Sequence, residues 1–461
     1  MTRVDDMVVR IMTPYFWLGQ DQDFPTVDPS TPDLNVFSPR ASWAHEFNLT
    51  GERSRDVRSD HGELIRRHGA AGTVLLKNVN GALPLKALKM IAIFGNDAGE
   101  PTQGFLNLNY EYGTLVTGGG SGTGRLSSLI TPLRAIQERA AHDGAKVVQY
   151  WLNNTVIANG DVEHLLTLQT PEVCLVFLKT WAEEAADRSH LSVDWDGDAV
   201  VASVASTCTN TIVVTHSAGI NTLPWSDHPN VTAILAAHYP GEQAGYSLTD
   251  ILYGDVNPSG HLPYTVACSG SDYNAPPTTT INTTGFYDWQ SWFEERLEID
   301  YRYFDAHDIP VRYEFGFGLS YTTFSISDLQ ATRLHENISS HPEHLPVQPG
   351  GNPALWESIF NVTISLTNSG DLAGASVPQL YVRFPSGTPA GTPPRQLRGF
   401  EKVYLEAGES QTVSFELMRR DLSYWDVVSQ QWVIPKGEFA IYLGFSSRDL
   451  VAQQHITVVS A

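Results

Sequence analysis

Two hydrophobic rhythms divide this chain. Up to about residue 266, short apolar runs alternate with segments of helical spacing; from about residue 359, single apolar and polar positions alternate. The runs at 90–94, 146–151, 172–178, 210–216, 231–237 and 261–266 predict strands, joined by a short one at 72–78 that Asn80-Gly81 closes. Helical spacing at 54–70, 126–142, 199–206 and 241–253 fits around them. Buried runs interleaved with helices predict a doubly wound α/β domain, placed at residues 51–325. Period-two strands at 360–366, 379–384, 411–417 and 439–443, separated by turn residues, predict an all-β sandwich at 359–461. Residues 326–358 are expected to be a linker. At the start, Val4, Met7, Val8, Ile11 and Met12 mark a short helix over 4–18 that needs a partner for its apolar face, followed by a Pro-, Asp- and Ser-rich linker to residue 50.

Composition narrows the function classes. With 461 residues, 42% of them hydrophobic, the chain can bury two or three cores. Its 29 basic and 51 acidic side chains give a net charge of −22 without a basic stripe, which argues against a nucleic-acid partner and leaves a neutral ligand such as a sugar unopposed. No apolar run reaches membrane-spanning length. Arg3, Asp5, Asp6 and Arg10 interrupt the first 20 residues, so they do not read as a signal peptide. Glycosylation sequons nevertheless occur at Asn48, Asn153, Asn230, Asn282, Asn337 and Asn361, which points to a secreted parent whose natural start lies upstream. Cys174, Cys208 and Cys268 lack metal-ligand spacing; Cys174 is expected to be a core residue, with Cys208–Cys268 the pairing considered.

Candidate chemistry concentrates at Trp181-Ala182-Glu183-Glu184-Ala185-Ala186-Asp187-Arg188, directly after the apolar run 173–178. Open α/β sheets bind ligands beyond the carboxyl ends of their strands. A glutamate there, beside an apolar tryptophan, is suited to hold a proton and act as a general acid. The glycine-rich stretch 118–124 matches neither the dinucleotide nor the P-loop pattern and is read as a flexible, ligand-facing loop. A dinucleotide-dependent enzyme is disfavoured on that ground. Pro240-Gly241-Glu242-Gln243-Ala244-Gly245 reads as a helix start with Glu242 near its positive end. Asp194-Trp195 reads as part of an acidic turn before a helix, and His216 and His238 as structural histidines at strand ends.

Taken in order, several strings resemble the glycoside hydrolase family 3 β-glucosidases of fungi. They are Arg3-Val4-Asp5-Asp6-Met7, Gly72-Thr73-Val74-Leu75-Leu76-Lys77-Asn78, Leu83-Pro84-Leu85, the glycines at 118–122, Asn210-Thr211-Ile212-Val213-Val214, Leu252-Tyr253-Gly254-Asp255-Val256-Asn257-Pro258-Ser259-Gly260 and the segment 312–321. The resemblance implies a (β/α)8-type barrel, an α/β sandwich and a fibronectin type III-like domain, with the sugar pocket between the first two. It makes residues 1–50 a remnant of the barrel domain. It implies a retaining hydrolase of terminal β-D-glucosyl groups that needs no cofactor or metal and acts on a β-glucoside or oligosaccharide. The family's acid/base glutamate lies in strings like A-T-E-G-A-D-R, which places Glu184 in that role, with Glu183 one residue away as the alternative. Ala185 stands where the family has glycine, and Glu242 and Gln243 are exchanged relative to the family's P-G-Q-E-S-G. The family's S-D-W nucleophile string is absent, and Asp194-Trp195 follows the acid/base instead of preceding it. Retention needs two carboxyl groups about 5–5.5 Å apart, so the competing reading is an inactive, barrel-less relative that binds sugar or serves as a scaffold.

Overall fold

The apolar runs become strands because each side chain has a hydrophobic layer to enter on one face or the other. The computed structural model describes residues 2–23, 56, 58–86, 88–102, 110–120, 126, 128–144, 147–160, 162–166, 170–184, 188–275, 292–346 and 348–459. Helix α1 (Arg3–Trp17) opens on a capping box between Thr2 and Asp5 and buries none of its residues; Val4, Ile11 and Trp17 are exposed. Then follow α2 (His61–Gly72), β1 (Val74–Asn78), β2 (Met90–Phe94), α3 (Pro132–His142), β3 (Val147–Trp151), α4 (Asn154–Asn159), α5 (Val162–Leu165), β4 (Val173–Thr180), α6 (Gly197–Thr207), β5 (Thr211–Ser217), β6 (Val231–Ala236) and α7 (Ala244–Tyr253).

Strands β1 to β6 form one sheet in the order β1-β6-β5-β4-β2-β3, parallel except for β1, which pairs antiparallel with β6 at the edge. Leu175, Phe177, Ile212 and Val214 meet Ile136, Leu248 and Ile251 of α3 and α7 on one face. Cys174, Val176, Leu178 and Val213 meet Val200 and Val204 of α6 on the other. The chain leaves β2 outward to β3 and returns to β4 on the opposite side. The crevice between the carboxyl ends of β2 and β4 is therefore the sheet's topological switch point. Gly95 follows β2 with φ +107°, and a β-carbon on it would lie 2.0 Å from the Phe177 carbonyl oxygen, so glycine is required there.

Several boundaries shift for local reasons. Helix α3 starts at Pro132, not 126: Thr131 caps it by accepting the Arg134 N–H at 3.3 Å, and proline occupies the first turn. Helix α7 starts at Ala244, since Gly241 has φ +80°. The strand expected at 261–266 shrinks to β7 (Val266–Ala267), because Leu262 bonds instead to the turn at Gly316 and Phe317. The disulfide joins Cys174 of β4 to Cys208 at the end of α6, and Cys268 is free and exposed. This corrects both the lone core thiol and the Cys208–Cys268 pairing: both linked residues face the same side of the sheet, where α6 packs.

After α8 (Tyr301–Ala306) and β8 (Val311–Tyr313) comes β9 (Phe324–Arg333), which runs into the stretch 326–358 expected as linker. It pairs with β10 (Ser358–Asn368) through a register shift, and Asp328 has φ +55°. The bulge moves the apolar spacing from two to three between Ile326 and Leu329, which hides the strand's period. The sandwich continues with β11 (Gly374–Ser376), β12 (Gln379–Arg383), β13 (Gln396–Phe400), β14 (Val403–Leu405), β15 (Ser410–Met418), β16 (Tyr424–Asp426), β17 (Gln431–Val433), β18 (Glu438–Gly444) and β19 (Leu450–Thr457). Its main sheets run β15-β10-β9 and β13-β12-β18-β19. Buried Asp305 of α8 takes Arg395 and Arg448 at 3.0 and 2.9 Å, and Gln379 donates to the Gly316 carbonyl at 3.0 Å, so ion pairs and hydrogen bonds join the two domains.

Candidate active site at the end of strand β4

Strand β4 delivers the expected glutamates to the switch point. Glu183 and Glu184 lie three and four residues past Thr180, and both are exposed. The Trp181 N–H donates to Asp194 Oδ2 at 2.7 Å, and the Ala182 carbonyl accepts the Gly119 N–H at 2.9 Å. Asp194 is thus a clamp on the strand end, while Asp196 and Asp198 supply the helix start. At the far side of the loop, Arg188 donates to the carbonyls of Ile220 and Ser192 and to Asn221 Oδ1, at 2.7, 3.2 and 3.0 Å. Residues 185–187 and 121–125 lie outside the described residues.

Glycines 118–120 lie against this carboxylate loop. A β-carbon on Gly119 would come 2.5 Å from the Glu183 Cβ and 2.5 Å from the Trp181 ring; one on Gly120 would come 2.4 Å from the Glu184 Cβ. The ligand-facing loop expected from composition therefore stands beside the expected acid. The Trp181 indole stacks on Tyr110, with ring centroids 3.5 Å apart and 14° between planes. The Trp181 ring and the Glu183 side chain both come within 2.5 Å of the same Gly119 β-carbon position, so the indole stands beside the glutamate pair.

Behind the loop is a buried polar network that sequence reasoning largely missed. Lys179, wholly buried, donates to the Gly113 carbonyl at 2.6 Å, and its Nζ lies 5.2 Å from the Trp195 ring centre. Burial pushes its ammonium down to about 8, against the pull of Asp97, Glu111 and Asp194. Asp97, also wholly buried, accepts the Leu115 N–H at 2.8 Å and meets His216 Nδ1 at 2.5 Å. Lys179 and Asp97 thus grip the 113–120 segment at Gly113 and Leu115, just before its glycines reach Glu183 and Glu184. Tyr239 donates to the Thr180 carbonyl at 2.7 Å, with its phenol held well above the usual range by burial. His238 bonds the Tyr264 hydroxyl at 2.9 Å, and burial lowers its imidazolium. The signal for Lys179 was available: a lysine at the end of a run otherwise apolar needs a buried partner.

Among the sequons, Asn153 and Asn337 are exposed, the former capping α4 through its side-chain oxygen. Asn230 donates its amide to the Ala205 carbonyl at 2.8 Å, and Asn361 sits within β10 with a buried Oδ1. Asn48 and Asn282 lie outside the described residues. No helix among the described residues is long and apolar enough to cross a membrane.

Comparison with known proteins matches both domains. Residues 73–321 match the Glycosyl hydrolase family 3 C-terminal domain, and residues 376–447 the Fibronectin type III-like domain. A probable beta-glucosidase G of Aspergillus flavus is 69% identical over 462 residues, covering 100% of this chain and 57% of that protein. A probable beta-glucosidase M of Aspergillus niger is 43% identical, over 97% of this chain and 56% of the relative. The solved Beta-D-glucoside glucohydrolase of Trichoderma reesei superposes with a TM-score of 0.82 at 36% identity, covering 99% of this chain and 60% of that one. The chain thus spans a little over half the length of its relatives, and across that span it belongs to glycosyl hydrolase family 3.

Proposed function

We propose that this chain carries the proton-transfer half of a retaining β-glucosidase that releases terminal non-reducing β-D-glucosyl groups. The observation that supports it best is the exposed Glu184 at the switch point, backed by glycines 119 and 120 and anchored at both ends of its loop. In this reading Glu184 donates its proton to the leaving glycosidic oxygen as the bond to the anomeric carbon breaks. The resulting carboxylate then takes a proton from the water that releases glucose from a glucosyl-enzyme ester. The nucleophilic carboxylate comes from the barrel domain of the longer relatives. Glu183 orients the loop through its contact with Gly119. Secretion, breakdown of cello-oligosaccharides and glycans on the exposed Asn153 and Asn337 belong to the same reading.

The test joins this chain to the N-terminal part of a close relative and measures turnover of an aryl β-glucoside. Glu184→Gln is expected to lower kcat about 10²–10⁴-fold, the usual contribution of a positioned general acid. Full activity of that variant, in a protein with an unchanged thermal transition, rejects the assignment.

A further inference from the structure

Among the β-sandwich residues lies a cavity of about 460 Å³, with Phe384, Arg398, Arg420, Asp421, Trp425 and Trp432 in its wall and neither Glu183 nor Glu184 among its lining. Its size lies within the range of small-ligand pockets. Two features separate it from an ordinary surface dent. Trp425 is 44% exposed although it packs edge to face on Trp432, with ring centroids 5.8 Å apart. Arg420 is held between two indoles, 5.4 Å from the Trp356 ring centre and 4.9 Å from that of Trp432. Its guanidinium is fixed by stacking, yet it donates no side-chain hydrogen bond among the described residues. Arg398 is rigid by a different route, donating to the Asp421 carbonyl and to Gln396 Oε1 at 2.7 and 2.9 Å.

An open indole face beside preset guanidinium donors and a carboxylate matches the two sides of a sugar ring. A pyranose presents an apolar C–H face to an aromatic plane and hydroxyls at its rim to charged hydrogen-bonding groups. A β-linked glucosyl unit, with its ring substituents equatorial, has the flattest such face. The chain's net charge of −22 opposes anionic ligands and leaves neutral ones unopposed. We infer that the Trp425–Arg420 pocket is a carbohydrate-binding site separate from the glutamate loop, taking a β-linked glucosyl unit of a neutral oligosaccharide. The choice of glucose rests on the β-glucosidase reading; the presence of a sugar site rests on the pocket alone.

The test titrates the 461-residue chain with cellotetraose, following tryptophan fluorescence and heat. Saturable binding is expected, weakened about tenfold or more in Trp425→Ala and in Arg420→Ala, and largely kept in Trp425→Tyr. Both altered positions are solvent-exposed, and an unchanged thermal transition checks that each variant is folded. Absence of binding, or binding that neither alanine variant weakens, overturns the site. Equal affinity for maltotetraose overturns the β-glucosyl assignment. Displacement of cellotetraose by inorganic phosphate overturns the neutral-ligand assignment. None of these outcomes depends on turnover, so they stand apart from any failure of the acid/base assignment.

Discussion

Gly120 lies so close to Glu184 that a β-carbon on it would stand 2.4 Å from the glutamate Cβ. Gly120 also has φ +96°, a conformation that L side chains rarely adopt. Space and backbone conformation thus both demand glycine where the loop meets the proposed acid. Gly120→Ala is expected to push Glu184 aside and lower kcat of the joined enzyme at least about tenfold, because small misplacements of a catalytic group are costly. The thermal transition should move by only a few degrees, as the loop lies at the surface of the fold. Unchanged kcat would show that Glu184 does not depend on this contact.

Adjacent Glu183 and Glu184 make the assignment of the acid a question for paired variants. An acid/base residue serves both steps, but the second step needs no proton removal when the attacking group is azide instead of water. Glu184→Ala is expected to lose most turnover and to regain part of it with sodium azide, giving glucosyl azide as the C–N bond forms and the enzyme ester bond breaks. Glu183→Ala should lose less than about tenfold and gain nothing from azide. The reverse pattern, read by product chromatography, would move the acid to residue 183.

Much of this site was legible because its elements obey one rule each. Runs such as 173–178 are apolar on both faces and so read as central strands, and Glu184 follows one of them at a predictable distance. Other features depend on contacts between distant segments and leave no local trace. Asp97 and His216 are 119 positions apart and look like loop and strand-end polar residues until the strand order β2-β4-β5 lets the loop after β2 reach across β4 to the end of β5. The Cys174–Cys208 bond requires knowing that α6 crosses the face to which Cys174 points. The bulge at Asp328 erases the alternation that identifies a strand, so β9 read as linker. Trp181 keeps its sequence neighbour Glu183 close in space, but its stacking partner Tyr110, 71 positions away, left no local trace.

Lys179 should make stability respond to pH in a particular direction. Burial holds its folded-state value near 8, against 10.5 for a solvated lysine. Between those values the unfolded chain binds the proton and the folded chain does not, so unfolding free energy rises with pH. Below about pH 8 both states are protonated and the full cost of burying the charge is present. Urea unfolding of the native chain and of Lys179→Met, compared from pH 7 to pH 10, should show the native chain gaining relative to the variant by up to about 3 kcal/mol. Taking the difference removes the titration of other groups. A flat or falling difference would mean that the ammonium is not desolvated as its burial implies.

The disulfide should dominate the stability of the α/β domain against reduction. Cys174 and Cys208 are 34 positions apart, and cross-linking them removes loop-closure freedom from the unfolded chain worth about 3–4 kcal/mol. Both sulfurs lie in the core between the sheet and α6, so a reductant reaches them only after local opening, whereas Cys268 is exposed. A thiol reagent added to the unreduced native protein should therefore titrate one of the three cysteines, and all three only after reduction in denaturant. The double variant Cys174→Ala/Cys208→Ala should fold but unfold at lower urea. Three reactive thiols in the folded, unreduced protein would overturn the pairing, and with it the seating of the end of α6 against the amino end of β4.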